Sequence, residues 1–346
     1  MRLLASSIAL LSLLFVQNGG LTPTTGPQAA KEFKLPQKLS LPPPIPTRIK
    51  TLHVESEHSL GVPQFGYFGQ AQVDSSGDLF FAVGAGADLR RAVVMEIREG
   101  NQEPILYRPK DASGDFVQFA VSPSGSVHIL SVTPKETYAI TSFDSEGEPT
   151  GITSIQISGR IQPTDLLAFD DDNFVLGGFF REAADQKDAG TNYLALLDPN
   201  GKVVKTFGGD SPKINTASLR THLFDGASCI GSDGNIYIVR GERISIADRT
   251  GSVIGSFSYP KPAPDFVARR IARTGRFIVL WLRDTQPQGA DQVRFLLIDA
   301  SSHETYALYA PDEAVGANAM YYKDGEGFTF LGVKDSRVTL VKTREE

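Results

Sequence analysis

ASCIGSDGNIYIVRGERISIADRTGSVIGSFSY, residues Ala227–Tyr259, contains four short runs rich in β-branched and aromatic residues. They are Ala227–Ile230, Asn235–Val239, Arg243–Ala247 and Ser252–Ser258, separated by turns at Gly231–Gly234, Arg240–Glu242 and Asp248–Gly251. Two of the turns end in Gly, which supplies the positive φ of a tight hairpin. Four antiparallel strands of this length make one twisted sheet, too small to be stable alone. Neighbouring copies must therefore cover its faces.

Such copies occur along the chain. The first inter-strand turn recurs at Asp74–Gly77, Pro123–Gly125, Asp170–Asn173, Ser232–Gly234, Arg273–Gly275 and Lys323–Gly327. The third recurs at Arg98–Gly100, Ser145–Gly147, Asp198–Gly201, Arg249–Gly251 and Ala300–His303. Anchored on Gly77, Gly125, Asn173, Gly234, Gly275 and Gly325, the spacings are 48, 48, 61, 41 and 50 residues. Four-stranded repeats of about 40–50 residues predict propeller blades. The expected fold is all-β, a six-bladed β-propeller of four-stranded antiparallel blades over residues 47–346. The last copy has only Asn318–Tyr322, Phe328–Gly332 and Arg337–Lys342, and Arg48–Val54 reads as one isolated strand. Pairing that N-terminal strand with the last blade would close the ring and leave no free edge between the termini.

Upstream, Met1–Val16 carries one cation, Arg2, and then an apolar run too short to span a bilayer. Residues 1–20 read as a bacterial export signal, which places the protein in the periplasm or outside the cell. Residues 21–46 read as a stiff Pro-rich linker, a spacer or else a polyproline ligand for a partner. Cys229 is the only cysteine, so an internal disulfide is excluded. The net charge of −6 gives no support for a nucleic-acid partner.

The run Ser232-Asp233-Gly234-Asn235-Ile236-Tyr237-Ile238-Val239, followed by Arg243–Asp248 and Gly251, resembles an NHL-type blade of the six-bladed, TolB-like propellers. Asp74–Ala82 and Asp198–Phe207 match the same pattern more weakly, and Arg240 stands where such blades usually carry Asp. The resemblance implies the fold and not an activity. It also implies a central channel, where lactonases and lyases of this form carry metal ligands or bases. By register the innermost strands offer Gln70, Gln72, Gln118, Asp165, Arg270 and Asn318, with one carboxylate and no histidine. That is a poor donor set for metal or acid–base chemistry.

Other motifs read as structural. His53, His58, His128, His222 and His303 lack paired metal spacing. Gly84-Ala85-Gly86 lacks a third glycine and a following helix. Cys229, within an innermost strand, is expected to behave as a small hydrophobe. Asp170-Asp171-Asp172-Asn173 suits calcium by chemistry, yet it occupies an ordinary turn position. No cofactor is expected.

One repeated feature points to function. The loop after the second strand opens with a cation in several copies: Arg90-Arg91, Lys135, Arg181-Glu182, Arg240-Gly241-Glu242 and Arg283-Asp284. Phe180 and Trp281 lie beside two of them. In a propeller these loops share one face, and loops on a rigid scaffold concentrate binding residues. The alternative is that each Arg pairs with its acidic neighbour and only solubilises a rim. The reading is an exported, monomeric binding or scaffolding module without a membrane span in its mature form. Arg181, Arg240, Arg283, Asp284, Phe180 and Trp281 would contact a protein, peptide or anionic glycan. A lactonase- or lyase-type enzyme using the channel, or a cell-wall sugar binder with aromatics clustered on one face, are the other readings. Export predicts that protein recovered outside the cytoplasm lacks about its first twenty residues; an intact mass that retains Met1 would refute cleavage.

Overall fold

The structure, a computed structural model, describes residues 48–345 apart from 61–66, 75, 85–91, 99–102, 110–113, 134–136, 158–159, 182–188, 208–213, 216–225, 285–291, 313–314, 316–318 and 335–336. The expected export signal and Pro-rich linker lie outside the described residues. Within them there is no helix.

After β1 (Ile49–Ser59) the strands fall into antiparallel groups. The first is β2 (Tyr67–Val73), β3 (Leu79–Gly84), β4 (Val93–Ile97) and β5 (Ile105–Tyr107). The second is β6 (Asp115–Val121), β7 (Val127–Val132), β8 (Tyr138–Phe143) and β9 (Pro149–Ser154). The third is β10 (Arg160–Ala168), β11 (Phe174–Arg181), β12 (Ala189–Leu197) and β13 (Val203–Phe207), with the short β14 (Ile214–Asn215) on β12. The fourth is β15 (Gly226–Ile230), β16 (Ile236–Arg240), β17 (Arg243–Ala247) and β18 (Val253–Ser258), close to the expected boundaries. Next come β19 (Phe266–Thr274), β20 (Phe277–Asp284), β21 (Val293–Asp299) and β22 (Thr305–Pro311). The chain ends with β23 (Ala319–Lys323), β24 (Gly327–Lys334) and β25 (Arg337–Glu345).

The first strand of each group lies beside the first strand of the next: β2 by β6, β6 by β10, β10 by β15, β15 by β19, β19 by β23, and β23 by β2. That is a β-propeller arrangement. Apolar clusters fill the spaces between successive sheets. Phe80, Ala82, Val94 and Tyr107 of the first sheet meet Phe119, Val127, Ile129 and Phe143 of the second. Ala71, Leu79, Phe81 and Met95 of the first meet Ala319, Leu331 and Val338 of the last group. Alternate residues of β3 therefore face opposite neighbours, and both faces are buried. This is why second strands such as LFFAVG and IYIVR read as continuous apolar runs without alternation. Each large side chain so buried contributes about 1.5–3 kcal/mol relative to exposure.

One turn device recurs between third and fourth strands. Asp144, Asp198 and Asp248 each accept, through Oδ1, the backbone N–H groups two and four residues on, at 2.8–3.0 Å. Gly201 follows at φ 74°, and a Cβ there would meet the carbonyl oxygen of Ser154. In the fifth group His303 takes the positive-φ place at 61°, its ring stacked on Phe257 with centroids 4.1 Å apart.

β1 runs antiparallel to β25 from Leu52 to Ser59, with a bulge between Val54 and Ser56. Its beginning also runs parallel to β22, pairing Ile49 with Leu308 and Leu52 with Pro311. One strand thus joins the last two groups into an eight-stranded sheet, β19-β20-β21-β22-β1-β25-β24-β23. Leu52 is fully buried there. β1 extends five residues past the expected end at Val54, because beyond the bulge it still has β25 to pair with. Deleting residues 47–59 uncovers two strand edges and the Leu52 pocket, and should lower Tm by roughly 10 °C or cause aggregation. Deleting 21–45 should leave Tm unchanged, and equal Tm values for both truncations would refute the assignment.

His128 is buried in β7, its Nδ1 2.9 Å from the Ser142 hydroxyl and its ring edge-on to Phe174. Burial pushes its pKa down to about 4, against the smaller pull of Asp172 and Asp170. Between that value and the ordinary 6.5 the unfolded chain binds the extra proton, so stability falls as pH drops through this window and is complete above it. Unfolding free energy should fall by about 3 kcal/mol between pH 7 and pH 4 on account of this residue. Denaturant titrations of His128→Leu should show that part of the acid slope removed; an unchanged slope would refute it.

Candidate functional site at the inner wall

The inner wall is built by the first strands, each hydrogen-bonded within its sheet on one side only. Extra residues interrupt the ladder between Phe68 and Ala71, Phe116 and Gln118, Pro163 and Asp165, and Ala268 and Arg270. Bulges re-aim side chains, and the residues resuming the register in β10 and β19 are Asp165 and Arg270. Asp165 stands opposite Gly177, where a Cβ would come within 3.1 Å of the Asp165 Cβ and 3.3 Å of Leu194. The Gly177-Gly178 pair is thus explained by close approach of the bulged strand.

Around Asp165 one hydroxyl and two guanidinium groups act from two neighbouring sheets. Ser228 of β15 donates its hydroxyl to Asp165 Oδ2 at 2.6 Å. The Arg240 and Arg270 guanidinium groups act on the carboxylate electrostatically, yet burial dominates and raises its pKa. Burial also lowers the Arg270 pKa, with Asp165 opposing the shift. The Arg270 guanidinium lies over the Trp281 ring, 5.7 Å from its centroid. The buried Trp281 Nε1 has no acceptor among the described residues. Cys229 is next to Ser228, and burial, aided by Asp165, pushes its thiol well above the ordinary range.

The sequence-expected residues land as follows. Phe180 and Arg181 end β11, opposite Ile161 and Arg160, and their side chains lie outside the described residues. Arg240 ends β16, opposite Gly226 and Arg243, and its Nη1 donates to the Val239 carbonyl at 3.3 Å. Trp281 stands opposite Arg270 and Phe295; Arg283 stands opposite Val267 and Val293; the Asp284 backbone N–H donates to Gln292. Arg90, Arg91, Lys135 and Glu182 lie outside the described residues. The structure thus brings Trp281 to Arg270, while Arg240 acts on Asp165 only electrostatically.

The glutamines correct a channel-lining reading. Gln72 donates to the Phe119 carbonyl and accepts from the Val121 N–H at 3.1 and 3.0 Å. Gln70 accepts from the Phe119 N–H at 3.1 Å, and Gln118 donates to the Thr164 carbonyl at 2.8 Å. They tie β2 to β6 and β6 to β10, because the strand edge there has backbone groups to satisfy. Asn318 lies outside the described residues.

The acidic turn also has structural work. Asp170 accepts the Ser124 N–H of the second sheet at 2.8 Å, and Asp171 faces Arg249 of the fourth at 3.6 Å. Among the described residues no group of three His, Cys, Asp or Glu could hold a metal ion. At the inner wall one carboxylate beside two guanidinium groups does not fit a divalent cation. Sequence reasoning named Asp165 and Arg270 as inner-strand residues but did not select them, and it missed Ser228. A hydroxyl among the apolar residues of ASCI was the available signal.

No protein-family profile matches the chain, and no curated protein matches it. Solved structures do. A luciferin-regenerating enzyme is 14% identical, with TM-score 0.47 over 83% of this chain and 95% of its own. A gluconolactonase from Xanthomonas campestris is 13% identical, with TM-score 0.46 over 87% and 98%. The Pan2 WD40 domain of Neurospora crassa is 10% identical, with TM-score 0.49 over 86% and 97%. At 10–14% identity these likenesses bring no activity, substrate or partner to this chain.

Proposed function

We propose that this chain is an exported, monomeric binding module that holds an anionic group of a protein, peptide or glycan at its inner wall and the adjoining mouth. The proposal includes six blades of NHL, TolB-like type, with β1 closing the ring. The repeated first-strand contacts and the double pairing of β1 support that geometry. The leader Met1–Val16 supports export.

The observation that carries the functional reading is the polar cluster of the inner wall, where Asp165 is bonded to Ser228 at 2.6 Å, Arg270 lies over Trp281, and Arg240 and Arg270 act on the carboxylate electrostatically. Guanidinium groups shielded from water interact with anions more strongly than exposed ones, and their planar fork matches carboxylate, sulfate and phosphate. Arg181 and Arg283 end the second strands β11 and β20 as Arg240 ends β16, so all three mark the same end of their sheets. Trp281, already beneath Arg270, and Phe180 would add the apolar anchor that charge lacks.

A second reading rests on the 2.6 Å contact between Ser228 and Asp165. A desolvated carboxylate beside a hydroxyl suits acid–base work on a lactone or ester, in the manner of a channel enzyme. Retention on a sulfated resin separates the two. The proposed module should bind at low salt, with Arg270→Ala and the Arg181→Ala/Arg240→Ala/Arg283→Ala triple variant each eluting at lower salt than wild type. Equal elution of folded variants would refute the anion site, and lactone hydrolysis lost in Asp165→Asn would favour the enzyme.

A further inference from the structure

We infer that Asn200, on the turn joining β12 to β13, is a site of spontaneous covalent modification. Its side-chain amide is lost to attack by the backbone nitrogen of Gly201, and the product loosens the seam between the second and third sheets. Outside the expected export signal, Asn200 is the only asparagine followed by glycine. Phe, Tyr, Thr and Ile follow Asn173, Asn192, Asn215 and Asn235, and those side chains shield the next backbone nitrogen. Gly201 has no side chain to obstruct an approach to its own. Asn200 is exposed, and the turn engages only its backbone. Its N–H donates to Asp198 Oδ1 at 2.9 Å, and its carbonyl accepts from Gln156 Nε2 at 3.5 Å. The side-chain amide has no hydrogen-bond partner among the described residues. One restraint bears on the attacking nitrogen: the Gly201 N–H donates to the Asp198 carbonyl at 2.9 Å. A hydrogen bond of that kind slows the attack by roughly tenfold at most.

The reaction needs only water. The Gly201 nitrogen gives its proton to water or hydroxide and bonds to Asn200 Cγ, and the side-chain nitrogen leaves as ammonia. Water then opens the resulting five-membered imide at either carbonyl. One opening gives aspartate on an unchanged backbone. The other gives isoaspartate, whose side-chain carbon has entered the main chain. Both products fall at a contact between sheets. Gln156, just after β9, donates its N–H to the Gly201 carbonyl at 2.8 Å and pairs with Lys202 in a parallel bridge. Thr153 Oγ1 donates to the Pro199 carbonyl at 3.1 Å. Gly201 is buried against the Ser154 carbonyl, with no room even for a Cβ. A main chain one carbon longer shifts Gly201 out of this fit and leaves the Gln156 N–H without its acceptor. Aspartate keeps the backbone length and adds only a carboxylate two residues from Asp198.

Peptide mapping by mass spectrometry, after incubation of the folded chain in mildly alkaline buffer, tests this together with hydrogen exchange of the same samples. The expected result is amide loss at Asn200, as aspartate and isoaspartate, while Asn173, Asn192, Asn215 and Asn235 keep theirs. In the isoaspartate fraction the Gln156 amide should lose its protection from exchange. Asn200→Asp, with the charge but a normal backbone, should keep that protection. Asn200→Gln, whose attack would need a larger ring, should keep both its amide and the protection. An intact Asn200 after an incubation that converts the unfolded chain overturns the site. Isoaspartate at position 200 with Gln156 still protected overturns the effect on the seam. Equal loss of protection in Asn200→Asp assigns that effect to charge and overturns the backbone account.

Discussion

Each sheet of this protein has an inner strand with one edge facing no strand of its own sheet, and buried backbone polar groups on that edge must find partners. The neighbouring sheet provides them. Gln70 and Gln72 of β2 hold the backbone of β6 at Phe119 and Val121, and Gln118 of β6 holds the Thr164 carbonyl of β10. Where β10 meets β15 the link is Asp165 to Ser228, a side-chain pair in place of an amide and a backbone group. The polar character of the inner wall is thus a structural requirement first. A polar residue there signals function only if the strand edge does not account for it. The glutamines fail that test, whereas Arg270, laid over Trp281, is not explained by edge satisfaction.

The same logic places chemistry at strand ends. With both faces of every middle strand packed into apolar clusters, residues such as Ile236–Val239 and Phe277–Leu280 are committed to the core. That leaves the inner wall and the ends of the second strands, where Arg181, Arg240 and Arg283 fall, as the places outside the core. Bulges make the inner wall usable. An extra residue before Asp165 or Arg270 breaks the two-residue alternation, so the side chain leaves the core row without disturbing the rest of the strand.

Strand number and position were largely legible because apolar runs and Gly- or Asn-bearing turns recur with blade-like spacing. The fourth repeat matches nearly residue for residue, β15 to β18 against Ala227–Ser258. The double role of β1 was only half legible. Its pairing with the last group follows from counting strands, but the parallel contact of Ile49–Leu52 with β22 has no local sequence signal. The site was less legible still. Bulges carry no period, so nothing in the sequence shows that Asp165 and Arg270 leave the core row. The meeting of Asp165 and Ser228 spans 63 residues of chain. Reading arginines after second strands singled out Arg240 and Trp281, which the structure sets within β16 and β20, while Arg270, the residue over Trp281, lies on a first strand.

The distribution of carboxylates bears on how a chain of net charge −6 would hold the anionic group proposed for it. Many of its acids sit in turns joining first to second and third to fourth strands, which share one end of the sheets. Asp74, Asp144, Asp198, Asp248 and Asp299 there accept backbone N–H groups of their own turns. Cations at that end are met by acids: Arg249 faces Asp171 at 3.6 Å and Arg276 faces Asp324 at 3.7 Å. Part of the negative charge is therefore tied to turn geometry at one end, while in the loops after second strands the sequence sets Asp88, Glu136, Glu182, Asp185 and Asp284 beside the cations. Within those loops Glu242 is drawn to Lys261 at 3.8 Å, which draws the acid beside Arg240 toward another cation.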